Sequence, residues 1–368
     1  MTPSTNHRSI TDWHLPIRRN RMNTTAKRTQ LAAAAAVGAL ALTSCGNGEG
    51  GGDGDGDFGS VEVPLSWIMT AEFAGMYYAV DEGYYEEEGF EEVELITGGP
   101  AATPSATQIA TGTGLAGLSN PIDVGSFIDS EGDDANIRII GSVFQRNAFA
   151  IFSLAENPAT EPEDLIGMSI GVAPNNEPVY YAFLEVNGID PDDVDMVSTG
   201  GTAEPLSNGE VDAYIGYATN QAIDVELDGH EVEYMYLYDH GLPFAAGSII
   251  ATEETIENDR EALKALLVGT IRGWKTALED HEDAATITVE DWAADQGLDF
   301  EHQLITAERQ APMISDDWTD ENGLLTMSDE LVANTLQAVS DVGYEVPDDL
   351  FDLSLLEEVY EENPDLLD

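Results

Sequence analysis

Apolar and polar positions follow two rhythms along this chain. From residue 61, short apolar runs are followed by longer runs whose apolar residues stand three or four apart. The short runs predict strands over 61–67, 92–97, 115–119 and 136–144, and 148–154 leads into a second αβ series. The longer ones predict helices over 74–88, 103–111 and 121–130, the last with Pro121 in its first turn, where a missing N–H is tolerated. A second series adds strands over 169–172, 195–198, 211–217, 232–238 and 248–252, with a helix over 177–187. From 254 onward the pattern is almost wholly helical, and Leu263, Leu266, Leu267, Ile271 and Trp274 mark one apolar face. Strands alternating with helices predict α/β architecture, and no internal repeat is visible in the sequence.

Before residue 61 the pattern changes. Lys27 and Arg28 precede an apolar stretch from 31 to 42, which Thr43-Ser44-Cys45 closes. A charged head, a short apolar middle and small residues before a cut site predict a secretory signal over 1–44. Its apolar middle, about 12 residues, is short of the ~20 that span a bilayer as a helix. Arg18, Arg19 and Arg21 make the basic region overlong, so Met22 is a second candidate start. Leu42-Thr43-Ser44-Cys45 resembles the bacterial lipobox, which implies lipidation of Cys45 and removal of all that precedes it. The Gly/Asp tract that follows has nothing to bury and predicts a flexible tether over 45–59. Asp53, Asp55 and Asp57 start like a calcium loop, but Phe58 and Pro64 stand where that loop needs glycine and glutamate. With Cys45 the sole cysteine, disulfides, a thiolate nucleophile and a cysteine-based metal site are excluded.

Charge narrows the choice of partners. Six of the 13 basic residues and a single acid, Asp12, precede Cys45, leaving seven cations against 70 carboxylates. So acidic a surface repels nucleic acid and anionic lipid. Self-repulsion on this scale weakens a fold in dilute salt, where the screening length grows, and predicts adaptation to a salty medium. Apolar residues, 42% of the chain, are too plentiful for disorder. The length predicts two lobes, since one core seldom supports so many residues. Gly112-Thr113-Gly114-Leu115-Ala116-Gly117 has the spacing of a dinucleotide loop, but a helix precedes it and a strand follows, the reverse of what such a loop requires.

One set of motifs points to a family. Glu72-Phe73-Ala74-Gly75-Met76-Tyr77-Tyr78-Ala79, then Glu82-Gly83-Tyr84-Tyr85 and Glu88-Gly89-Phe90, resembles the opening of solute-binding proteins for ABC importers of the thiamine-pyrimidine, nitrate and alkanesulfonate type. Phe90 replaces the usual leucine. Thr97-Gly98-Gly99-Pro100, the stretch Asp164-Leu165-Ile166-Gly167-Met168-Ser169-Ile170-Gly171 and Asn208-Gly209-Glu210-Val211-Asp212-Ala213-Tyr214 extend the resemblance, with Met168 for the usual lysine. It implies a two-lobed type II periplasmic-binding-protein fold with two crossovers, near 146–150 and 241–247, and a helical C-terminal portion. Lobe one would be 61–146, lobe two 147–240, and 241–368 would return to lobe one. It implies an extracytoplasmic monomer, held at the membrane by lipid on Cys45, that delivers a small molecule to permease and ATPase subunits without a cofactor.

Ligands in open α/β sheets sit beyond the carboxyl ends of strands, which selects the candidates. Trp67 and Phe73 flank the first strand's exit, for stacking on a planar ring or for core packing. Asn120 either meets the ligand edge or caps the helix after it. Gln145 and Arg146 stand at the first crossover, where Arg146 would bind an anion or pair with carboxylates. Asn175 and Asn176 open a helix, and Tyr217 and Asn220 follow a strand exit. Glu72 would accept from an exocyclic amine or stay solvated. Few cations and many aromatic or amide groups favour a ligand with an aromatic ring over an alkanesulfonate or nitrate anion, which stays the alternative. Phe73-Ala74-Gly75 and Gly98-Gly99-Pro100 resemble most the family members that take thiamine pyrimidines or flavins, which implies a thiamine-pyrimidine or flavin-like heterocycle. A pyridoxal-phosphate-dependent pyrimidine synthase is disfavoured, because the only lysines after Cys45 are Lys264 and Lys275, both in the helical C-terminal stretch. Gly-x-Ser-x-Gly is absent, and His230, His240, His281 and His302 follow no triad spacing.

Overall fold

The computed structural model describes residues 58–99, 102–132 and 135–367; Cys45, the leader and the tract up to residue 57 lie outside the described residues. Ten strands fall into two groups. In the first, β1 (Gly59–Pro64) pairs in parallel with β2 (Phe90–Ile96). Beside them β3 (Gly117–Ser119) and β4 (Ile137–Phe144) flank β10 (Ala246–Thr252), which is antiparallel to both. The Leu115 amide donates to the Glu62 carbonyl at 3.3 Å, which brings the two ladders side by side in the order β2-β1-β3-β10-β4. The second group is β5 (Phe149–Leu154), β6 (Ser169–Val172), β7 (Asp195–Ser198), β8 (Ala213–Tyr217) and β9 (Val232–Tyr236). These form one sheet in the order β7-β6-β8-β5-β9, with β5 antiparallel to its neighbours. Each lobe therefore places its antiparallel strand fourth, a shared plan with no counterpart in the sequence.

Two short segments join the lobes, 145–148 running out and 241–245 running back. Asn147, 1% exposed, ties them together. Its amide N–H donates to the Phe244 carbonyl at 2.9 Å, and its side-chain nitrogen donates to the Leu242 carbonyl at 3.1 Å.

Lobe one owes its cohesion to the C-terminal helices. The helix Arg260–Glu279 lays Leu263, Leu267, Ile271 and Trp274 into the core shared with β1 and the helix Ala74–Asp81, as the apolar face predicts. The two helices cross so closely that a side chain on Gly273 would meet the Gly75 carbonyl, and one on Gly75 would strike the Trp274 ring. Only glycine fits at that crossing. The helix expected over 74–88 is in fact two, Ala74–Asp81 and Tyr84–Glu87, because Gly83 turns left-handed (φ 73°) and stops the first. The helix Gln221–Leu227, seven residues long, is too short to set up a helical period in the sequence pattern. No helix among the described residues is long and apolar enough to cross a membrane.

Candidate functional site

The strand exits of both lobes face a cavity of about 410 Å³. Lobe one contributes Trp67, Glu72, Asn120 and Asp123, and lobe two contributes Asn175, Asn176, the 200–202 loop, Tyr217 and the Thr219–Asn220–Gln221 turn. Glycine sets the place of Trp67: Gly98 passes so near the Leu65 carbonyl that a Cβ would clash, and its amide donates to the Trp67 carbonyl at 2.9 Å. That close approach gives the Gly98-Gly99 pair a physical reason. Tyr217, at the end of β8, stands edge-on to Phe149 with ring centroids 4.5 Å apart, and its amide donates to the Gln221 side chain at 2.9 Å.

Glu72 is placed as firmly. Gln303 accepts from the Ala71 amide at 2.9 Å and Gln310 donates to the Ala71 carbonyl at 2.7 Å, so the residue before Glu72 is clamped on both sides. Burial raises the Glu72 carboxyl to about 7, since no cation offsets the lost hydration. Asp123 opens onto the cleft and is reached by water there, yet crowding by the walls raises its carboxyl too, with the Asn120 amide opposing. Burial first, then the Glu72 and Asp123 charges, hold the Tyr217 phenol in its neutral, donor form. No lysine, arginine or histidine lines this cavity among the described residues. The site is thus four aromatic side chains, Trp67, Phe144, Phe149 and Tyr217, and two carboxylates with a rim of amides, and it suits a planar ligand edged with hydrogen-bond donors.

Of the nine candidates selected from the sequence, the structure brings six to the cavity: Trp67, Asn120, Asn175, Asn176, Tyr217 and Asn220. Asn120 is at the same time a helix cap, accepting from the Asp123 amide at 2.9 Å, so the two readings of it coexist. The other three stand elsewhere. Phe73 is 3% exposed in the lobe-one core, one residue too far along its turn to face the cleft. Gln145 is buried and donates to the Thr326 carbonyl at 3.0 Å. Arg146 lies over the Tyr238 ring at 5.3 Å, outside the cavity. Sequence reasoning overlooked Asp123 and Phe149. Asp123 reads as one more acid in an acidic chain, and Phe149 as one more apolar position in a strand.

Two α/β lobes of matching strand order, joined by two crossovers around a cavity, define a type II periplasmic-binding-protein fold. The periplasmic aliphatic sulphonate binding protein SsuA from Escherichia coli shares it with a TM-score of 0.59 at 13% identity, over 76% of this chain and 90% of that one. Residues 70–284 match the family described as NMT1/THI5 like, and the chain belongs to that family. The Formylaminopyrimidine-binding protein of Halalkalibacterium halodurans is 27% identical over 234 residues, 62% of this chain and 69% of that protein. The Riboflavin-binding protein RibY of Chloroflexus aurantiacus is 24% identical over 269 residues, 72% and 75% of the two chains.

Proposed function

We propose that this protein captures a small planar heterocycle outside the cytoplasmic membrane and hands it, unaltered, to the permease and ATPase of an ABC importer. The observation that carries the ligand class is the cavity wall, where Trp67 and Tyr217 offer ring faces while Glu72 and Asp123 offer acceptors without a cation. In its ionised form this carboxylate pair repels sulfonate and nitrate and accepts from amino or ring N–H groups. The similarity to a formylaminopyrimidine-binding and a riboflavin-binding protein supports the same class. Capture without chemistry agrees with where the lysines lie: Lys264 bonds Glu362 at 2.9 Å and Lys275 bonds the Leu366 carbonyl at 2.9 Å, both away from the cavity. The lipobox-like Leu42-Thr43-Ser44-Cys45 and the Gly/Asp tether support lipid anchoring with residues 1–44 removed.

Calorimetry in about molar salt against a pyrimidine, a flavin, an alkanesulfonate and nitrate tests the reading. A heterocycle is expected to bind saturably and to be recovered unchanged, and Trp67→Ala is expected to weaken it more than tenfold. Binding of the two anions alone would reject the ligand class, and recovery of an altered ligand would reject capture without chemistry.

A further inference from the structure

The helix Phe300–Ile314 supports the cavity wall from behind. On it Gln303, 3% exposed, accepts with its side-chain oxygen from the Ala71 amide at 2.9 Å. A backbone N–H can only donate, so this bond fixes which end of the Gln303 amide faces which way. The Gln303 nitrogen is thereby turned to Nδ1 of His302, 3.2 Å away. An N–H in that place needs a lone pair on Nδ1. The neutral ring therefore carries its proton on Nε2, which stands 3.5 Å from Asp224.

The arrangement accommodates one ring proton and not two. A second proton goes to Nδ1 and sets N–H against N–H across 3.2 Å. Turning the Gln303 amide over would satisfy the imidazolium, but it would aim the NH2 group at the Ala71 N–H, which is fully buried. Either way one of the two contacts is lost. Another acceptor near Nδ1 is the Thr306 hydroxyl oxygen at 3.4 Å, and that hydroxyl ties the helix to the Thr219 carbonyl at 3.0 Å. Both routes out of the ring thus end on the cavity wall, one at Ala71 beside Glu72 and the other at Thr219. The charges around the ring favour the second proton. Asp224 faces it from the helix Gln221–Leu227 with Asp228 close by, Asp299 caps the ring's own helix, and Glu72 lines the same space of about 290 Å³. Arg309, further along the helix, is taken up by Glu226.

We propose that His302 is a positioning residue for the cavity: neutral, it keeps Gln303 on Ala71 and so seats Glu72, and protonated, it releases that seat and weakens capture. The proposal rests on the capture reading in one respect, that Glu72 faces the ligand, and it holds for any ligand Glu72 meets.

Magnetic resonance and hydrogen exchange on the full chain in about molar salt test the link without a ligand. At about pH 8 the ring nitrogens of His302 are expected to show the Nε2–H tautomer, and the Nδ1–H tautomer would overturn the proposal with no substitution made. Between about pH 8 and pH 5, where histidines change charge, the Ala71 amide is expected to lose about tenfold in protection after correction for intrinsic exchange. The Asn147 amide, bonded to Phe244 at the crossover, is expected to keep its protection and so controls for general loosening. His302→Asn can turn an oxygen to Gln303 and takes no proton, so it is expected to hold the Ala71 loss below about twofold, the melting temperature checking its fold. An Ala71 amide indifferent to pH in the unsubstituted chain, or a full loss in folded His302→Asn, would refute the link.

Capture is read by calorimetry with riboflavin and 4-amino-2,5-dimethylpyrimidine in the Glu72→Gln background, where the titration of that carboxyl is absent. Adding His302→Asn is expected to remove about threefold or more of the loss of affinity between the two pH values, ionisation of the probe being common to both proteins. Coincident pH curves would overturn the role in capture. Binding of neither probe would reject the heterocycle reading instead, and the exchange result would then decide this proposal alone.

Discussion

The two lobes share a strand order but not a way of being held together. Lobe one and the C-terminal helices that pack on it contain Arg138, Arg260, Lys264 and Arg272, each paired with carboxylates: Arg138 with Glu253, Arg260 with Glu358 at 2.8 Å, Lys264 with Glu362 at 2.9 Å and Arg272 with Glu87 at 2.6 Å. Residues 147–240, the stretch that holds the five strands of the second sheet, contain 19 carboxylates and no lysine or arginine. Among the described residues the one arginine or lysine that pairs with a carboxylate of that lobe is Arg309, borrowed from helix Phe300–Ile314, on Glu226 at 2.6 Å. Its guanidinium also donates to the Ala218 carbonyl at 2.6 Å and the Tyr234 hydroxyl at 2.7 Å. The two regions therefore differ in where their carboxylates find partners: those of lobe one pair in part with cations of its own, whereas lobe two has to borrow Arg309. That difference predicts a greater need for salt in lobe two.

The largest effect expected falls at the crossing of two lobe-one helices. Gly273→Val would drive a side chain into the Gly75 carbonyl and is expected to cost about 3 kcal/mol. That loss is expected to be equal in dilute and molar salt, as denaturant unfolding in both would show; a loss that salt repairs would blur the distinction between the lobes.

Lobe two is expected to loosen first when salt is withdrawn. Amides of β6 and β8 should lose hydrogen-exchange protection at ionic strengths near 0.01 M, where the screening length is about 30 Å, before those of β4 and β10 do. Equal loss in both sheets would break the comparison.

Arg309→Ala sharpens it at a single contact. Removing a guanidinium that bonds one carboxylate, one carbonyl and one hydroxyl is expected to cost about 1.5–3 kcal/mol. Since Ala218 leads into the cavity-lining Thr219–Gln221 turn, ligand affinity is expected to fall about tenfold, with Arg309→Lys recovering part of it. Calorimetry showing unchanged affinity would separate the bridge from the site.

A further effect, read through pH, concerns one carboxyl of lobe one. Glu72 has its proton affinity raised by folding, from 4.5 to about 7. Its contribution to stability is therefore fully present below pH 4.5 and is lost as pH rises towards 7. A donor-bearing ligand responds the other way and binds more tightly as the carboxyl ionises. Relative to Glu72→Gln, the unliganded protein is expected to lose melting temperature across that window while its affinity rises. Parallel curves for the two proteins would remove Glu72 from both roles.

Much of this molecule is written locally. β6 and β7 fall on the spans 169–172 and 195–198 that the apolar runs predict, because a short buried strand is bounded by its own hydrophobic residues. Trp67, Tyr217 and Asn220 are legible as site residues because they stand just past strand ends, where α/β sheets hold ligands. Phe73, Gln145 and Arg146 stand just as near such ends yet serve the core or the crossover, since facing the cleft depends on one turn of backbone. Asp123 is the reverse case. In a chain with 71 acids nothing local marks it, and only the cleft it shares with Glu72 separates it from the solvated rest.

Strand and helix periodicity, the excess of carboxylates and the glycine-rich family motifs act over a few residues, so they can be read along the chain. The matching order of two sheets, the clamp of Gln303 and Gln310 on Ala71 and the borrowing of Arg309 by lobe two join residues many positions apart. Such pairings exist only once packing has brought distant segments together, because hydrogen bonds and burial depend on distance in space and leave no periodic trace in the order of residues.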